Sequence, residues 1–170
     1  MTRQIGAIRE TRSFLLEQLK ELTNEQFNRI AEGFNNNIIW NLGHMIAVQQ
    51  AICYKRAGLS VLISDDFWQR FGSGSKPKGI IGDDEIIAVK QLLISTMDQL
   101  ETDYHKQVFD NYTTWVARNG MDVASIDDGI KFLSFHDVLH SDVIMAIKIA
   151  VTISPPNGGT PIARAMTDPR

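Results

Sequence analysis

Four histidines are present, and two of them, His136 and His140, stand four apart in "FHDVLHSDVI" (residues 135–144). On a helix that spacing puts both imidazoles on one face about a turn apart, so they can point at a single ion. Spacing alone decides little, because roughly 7% of shuffled chains with this histidine content would carry such a pair. The setting adds weight. Phe132, Leu139, Val143 and Ile147 predict an apolar face that looks into a helical core and carries the pair with it. Buried imidazoles cost free energy unless their nitrogens find partners. His44, inside the apolar stretch "WNLGHMIAV", makes the same demand from another helix. One ion where these faces meet would satisfy three nitrogens; separate hydrogen bonds in the core would also satisfy them. The residues alone leave both readings open. His105 lies in a polar, irregular stretch and reads as a surface residue.

A set of three neutral imidazoles suits Zn²⁺ or Ni²⁺, and also Fe²⁺, and leaves at least one coordination position for water or substrate. Imidazole donates no negative charge, so such an ion keeps its full field. It can lower the pKa of a bound water or thiol by several units, or polarise a carbonyl.

Other candidate motifs carry less. Cys53 reads as a small buried helix residue, with no helix N-terminus or basic cluster to activate it. "GSGSKPKG" (residues 72–79) lacks the Gly-Lys-Ser/Thr ending of a phosphate loop and reads as a connection that can reach over the mouth of a site. A di-iron bundle needs carboxylate-x-x-His on two helices, and Asp137 with His140 supplies it once, with Asp137 rotated off the histidine face. Haem ligation by His44 has no supporting feature. Asp142 reads as solvated, and Trp40, Trp68 and Trp115 read as packing residues that can also line a pocket.

The elements that must position the histidines follow from periodicity. Ile5, Ile8, Arg12, Leu15, Leu16 and Leu19 predict a helix over 3–21 behind Thr2 as cap. Thr23 and Gln26 have capping-box spacing for a short helix ending before Gly33. A longer helix over 38–57 carries His44, with Gly58 at its left-handed C-terminal position. Residues 59–82 form a long connection with a turn of helix at "DDFWQRF". Asp83 and Asp84 start a third long helix to about Leu100. Residues 102–124 show no sustained period and no convincing strand hairpin, although Asn119-Gly120 marks a turn. Ser125 and Asp128 start the histidine-pair helix, which Pro155-Pro156 stops. The expectation is an all-α four-helix bundle with a short extra helix and long connections, a single domain over 1–154 and a loosely packed tail over 155–170.

Composition narrows the partners. The 170 residues are 44% hydrophobic and 22% charged, with a net charge of -3; no electrostatic field of that size gathers nucleic acid or anionic lipid. No apolar run is long enough to span a bilayer, and no secretory signal opens the chain. The single cysteine excludes an internal disulfide. These features predict a cytoplasmic protein whose partners are a small-molecule substrate or copies of itself, with no nucleic acid and no membrane.

"NLGHMIAVQQAICYKRAG", centred on Gly43-His44, and "FLSFHDVLHSDVIMAIK", centred on His136 and His140, together resemble the DinB/YfiT-like superfamily of metalloenzymes. The resemblance implies a four-helix bundle over nearly the whole chain. It implies His44, His136 and His140 as ligands of one divalent metal, and it brings a homodimer among its expectations. Ser141-Asp142 departs from the small residue that relatives often carry after the second histidine of the pair. The superfamily is functionally mixed. It includes thiol-dependent transferases and isomerases, so the resemblance implies thiol-dependent transferase, isomerase or hydrolase chemistry, against the alternative of a non-catalytic metal-binding or stress-responsive bundle.

Overall fold

The structure is a computed structural model that describes residues 1–153. The expectations for Pro155-Pro156 and for the tail over 155–170 lie outside the described residues.

Four long helices make an all-α bundle: α1 (Thr2–Gln18), α3 (Ile38–Gln49), α5 (Asp83–His105) and α6 (Ile126–Ile153), with short helices α2 (Asn24–Asn28) and α4 (Asp65–Phe71) in the connections. α5 and α6 each pack against both α1 and α3, which closes the bundle. α2 and α4 also lie on α3, so all twelve residues of α3 are buried. That explains its near-continuous apolar sequence, since a helix covered on every side keeps no polar face.

Local chemistry sets the boundaries. Thr23 and Gln26 make the reciprocal capping box that starts α2, and Asn37 caps α3 by accepting from the Trp40 N–H at 2.9 Å. After Gln49 the helix widens into a π turn (Gln50–Tyr54), tightens into a 3₁₀ turn (Lys55–Ala57) and ends at Gly58 with φ +71°. The predicted 38–57 helix is therefore continuous but irregular where it borders the cavity described below. Ser125 accepts from the Asp128 N–H at 3.2 Å and donates to its carboxylate at 2.8 Å, starting α6 as predicted.

Several expectations are corrected. Thr2 is the first helical residue, and the cap position is Met1 without a side-chain bond; α1 ends at Gln18 because the chain must turn toward α2. Gly82, not an aspartate, caps α5, while Asp83, Asp84 and Glu85 lie in its first turn, where the helix dipole favours them. α5 continues to His105, since its polar final turn extends beyond the bundle's apolar contact. The region 102–124 also contains a small antiparallel hairpin, β1 (Trp115–Val116) with β2 (Asp122–Val123), turning through Gly120 at φ +82°.

The core falls into two apolar clusters, one containing Leu15, Met45, Leu93 and Ile144, the other Ile8, Ile52, Met97 and Leu133. Between them in chain order on all four long helices lies a buried polar residue: Arg12, Gln49, Thr96 and Asp137. Arg12 donates to Asp137 Oδ2 at 2.7 Å, to Gln49 Oε1 at 2.7 Å and to the Leu93 carbonyl at 3.0 Å. Gln49 donates to the Thr96 carbonyl at 2.8 Å. Such a pair does not make the fold more stable than apolar packing would, but losing one partner strands the other.

Candidate metal centre

The three histidines singled out in the sequence meet at one end of this polar layer. α3 supplies His44 and α6 supplies His136 and His140, each offering a ring nitrogen within 4.8 Å of the others. Nitrogens bound to one tetrahedral Zn²⁺ stand about 3.4 Å apart, so the rings are within small rotations of a common ion. His105 is exposed at the end of α5, away from them in the sense predicted.

Two hydrogen bonds orient the set. His44 Nδ1 lies 2.8 Å from the Phe71 carbonyl, an acceptor only, so Nδ1 carries the proton and Nε2 keeps its lone pair. His140 Nδ1 lies 2.8 Å from Asn41 Oδ1. Asn41 presents that oxygen because its amide nitrogen donates to the Asn37 carbonyl at 2.8 Å. His140 therefore donates from Nδ1 too, leaving Nε2 free. Metal-binding imidazoles use this arrangement, in which the second nitrogen fixes tautomer and ring direction.

Gly43 explains the first bond. A Cβ at that position would sit 2.4 Å from Phe71 Cδ1, so only glycine lets the Phe71 ring lie on α3 and bring its carbonyl to the next residue, His44. Trp40 completes the support by stacking on His44, with ring centroids 4.6 Å apart. Its indole N–H donates to Ser75 at 3.0 Å, tying down the "GSGSKPKG" connection.

His136 differs. Its Nδ1 is buried without a hydrogen-bond partner, as is Asp137 Oδ1, and the two atoms are 3.7 Å apart. Closing that gap by about 1 Å would give the third imidazole an orienting acceptor, itself anchored by Arg12. Asp137 is not one of the three clustered residues, yet it is not rotated away from them: it is buried, with Oδ1 facing His136.

Burial pushes the His44 imidazole down to about 4, with the Phe71 carbonyl opposing and His136 adding to the effect. Burial also pushes His140 down to about 3, helped by His136 and His44 and opposed by Asp137. Both rings are neutral near pH 7, the state that ligates.

The apolar stripe expected on α6 is rotated. Leu139 and Val143 are exposed. The inward stripe runs Ile130, Leu133, Asp137, His140, Ile144, Ile147 and Val151, alternating three and four residues, because Asp137 must reach Arg12. The histidines consequently sit at the edge of the core beside a cavity of about 680 Å³. Val48, Ile52, Trp115, Phe132 and Leu139 form much of its wall, and Arg56 and Arg118 also reach it. Of the three tryptophans, Trp115 lines this space, and Trp68 packs beneath Lys55. Asp142 is exposed. Cys53 is fully buried, and burial pushes its thiol up to about 12, so it supplies no nucleophile.

A family model described as the DinB superfamily matches residues 7–144, a span that includes His44, His136 and His140. The chain belongs to the DinB superfamily. No curated protein matches it. The DinB match and the three-histidine cluster are together compatible with a metal site. Sequence reasoning missed Asn41, Phe71, Arg12 and Arg56. Only the Asn41 spacing, four residues after Asn37 and three before His44, offered a signal.

Proposed function

We propose that His44, His136 and His140 hold one divalent ion, Zn²⁺ or Ni²⁺ before Fe²⁺, and that the protein is a metal-dependent enzyme acting on a small molecule in the adjoining cavity. One observation carries the reading: the Phe71 carbonyl and the Asn41 amide leave two Nε2 lone pairs free at the same cavity. A bound ion there would activate a water or thiol, or polarise a carbonyl.

The protein's own residues do the positioning. Asn41 and Phe71 hold the tautomers, Trp40 holds the His44 ring plane, and the apolar wall restricts water. Among the described residues no carboxylate lines the cavity, so none of them offers a carboxylate there as a general base. That favours a nucleophile needing little help to ionise, such as a thiol with its ordinary pKa near about 8.5, over an alcohol. Thiol-dependent transfer or isomerisation is accordingly preferred to hydrolysis. The open cavity also speaks against an ion that only braces helices. No helix among the described residues is long and apolar enough to cross a membrane; a cytoplasmic setting and a homodimer remain parts of the proposal.

Cobalt-substituted protein tests it. Adding a small thiol such as cysteine is expected to produce a thiolate-to-cobalt charge-transfer band that saturates at one equivalent per site. A cobalt spectrum unchanged by thiol and by azide indicates a closed coordination sphere and supports the bracing role instead.

A further inference from the structure

The cavity beside the histidines has a charge pattern opposite to that of the chain. The whole sequence carries a net charge of -3, yet among the described residues the lining includes Arg56 and Arg118 and no aspartate or glutamate. Three other arginines are matched with acids: Arg9 with Asp98 and Glu101, Arg12 with Asp137, and Arg70 with Glu85. Among the described residues, neither the Arg56 nor the Arg118 guanidinium has a hydrogen bond or ion pair.

Arg56 is also held in place. It is half-buried in the 3₁₀ turn that closes the irregular end of α3. Its carbonyl accepts from the Thr113 N–H at 2.7 Å, which ties that turn to the segment before β1. Its guanidinium lies over the Trp115 ring, 5.3 Å from the centroid. A stacked guanidinium keeps its planar N–H edge available for a carboxylate or phosphate, and it is weakly hydrated to begin with. Arg118 comes from the β1–β2 turn, where the Ala117 N–H donates to the Met121 carbonyl at 2.9 Å. Phe135 and Leu139 line the same cavity and leave about half of their surface exposed, at 48% each. Apolar side chains left open beside paired cations fit a ligand with both characters.

We infer that the cavity binds an amphipathic organic anion, its carboxylate or phosphate held by Arg56 and Arg118 and its aromatic or branched aliphatic body against Phe132, Phe135 and Leu139. This rests on the reading of the cavity as a substrate site, and it names the class of substrate: one whose reacting group is presented to the histidine cluster while a separate anionic group is anchored at the mouth. The two arginines then set specificity by charge, and the apolar wall sets it by shape.

The test compares 4-phenylbutanoate, phenethyl phosphate and the neutral 4-phenylbutanamide by calorimetric titration, on metal-free and on Zn²⁺-loaded protein. Both anions, or one of them, are expected to bind about tenfold to a hundredfold more tightly than the amide in both forms, the range of a charge-assisted hydrogen bond. The relative affinities of carboxylate and phosphate assign the anion. Arg56→Gln and Arg118→Gln are expected to erase most of that preference while leaving amide binding unchanged. Arg118 is exposed on a turn, so its variant serves if Arg56→Gln fails to fold. Equal binding of anions and amide, or no binding of any probe at millimolar concentration, overturns the inference. A preference seen only with Zn²⁺ and insensitive to both arginines also overturns it, while leaving the metal reading intact. A preference retained without metal and lost with the arginines upholds it even if the histidines bind no ion.

Discussion

Replacing Arg12 by methionine should be among the most damaging single changes in the bundle, and its cost should depend on pH in a defined direction. Arg12 and Asp137 are 0% and 1% exposed, with Nε and Oδ2 2.7 Å apart. The substitution removes the only cation beside a buried carboxylate among the described residues and strips donors from Gln49 Oε1 and the Leu93 carbonyl. Breaking such a pair costs about 3–5 kcal/mol. With a urea dependence of about 2 kcal/mol per molar, the unfolding midpoint should fall by about 1.5–2.5 M. In the parent, burial would raise the Asp137 carboxyl, but Arg12 and His136 outweigh it and hold the group below its ordinary value. That stabilisation is present above the unfolded-state pKa and is lost as pH falls through the folded one. In the variant only the neighbouring His136 still opposes burial, so the folded pKa rises above the unfolded one and stability is lost as pH rises beyond about 4. The gap between parent and variant should therefore widen from about pH 4.5 to about pH 7. Urea unfolding followed by circular dichroism reads both quantities. Adding Asp137→Leu to Arg12→Met should recover much of the loss, because it replaces the stranded charge with an apolar side chain. A cost below about 1 kcal/mol, or a gap that does not change with pH, would refute the reasoning.

Gly43→Ala should lower stability by about 1–3 kcal/mol, since its Cβ would stand 2.4 Å from the Phe71 ring; an unchanged melting temperature would contradict the close approach. Asn41→Ala should weaken zinc binding about tenfold to a hundredfold by freeing His140 to turn, measured by competition with a chelating dye; undiminished affinity would show that the amide does not orient the ring. The metal-free protein should lose stability as pH falls from about 6.5 toward about 4. His44 and His140, at about 4 and about 3 when folded, take up protons first in the unfolded chain, and the total is about 2–4 kcal/mol after discounting for partial exposure. Constant stability between about pH 6.5 and about pH 5, above the ordinary carboxylate range, would count against neutral buried rings.

The sequence was most readable where one residue type has one physical use. The capping box at Thr23, the Gly58 helix end and the burial of His44 within an apolar run all appear as the local chemistry requires. The histidines themselves were legible, but the face that carries them was not. Leu139 and Val143 suggested an inward stripe, whereas Asp137 belongs to it and they do not. A buried aspartate looks like a solvated one until its partner is known, and Arg12 is 125 residues away in the chain. The arginines at the cavity were hidden for a similar reason. Arg118 lies on a hairpin whose strands are two residues each, too short for any period, and overall net charge averages away two arginines lining one cavity.

The central claim is that His44, His136 and His140 hold one divalent ion. Elemental analysis of protein purified without added metal, beside His44→Ala, His136→Ala and His140→Ala variants shown to be folded by circular dichroism, tests it most directly. The account predicts close to one equivalent of zinc or nickel in the parent and loss of most of it in each variant. A folded parent that neither carries nor takes up one equivalent, or metal that survives all three substitutions, would contradict it.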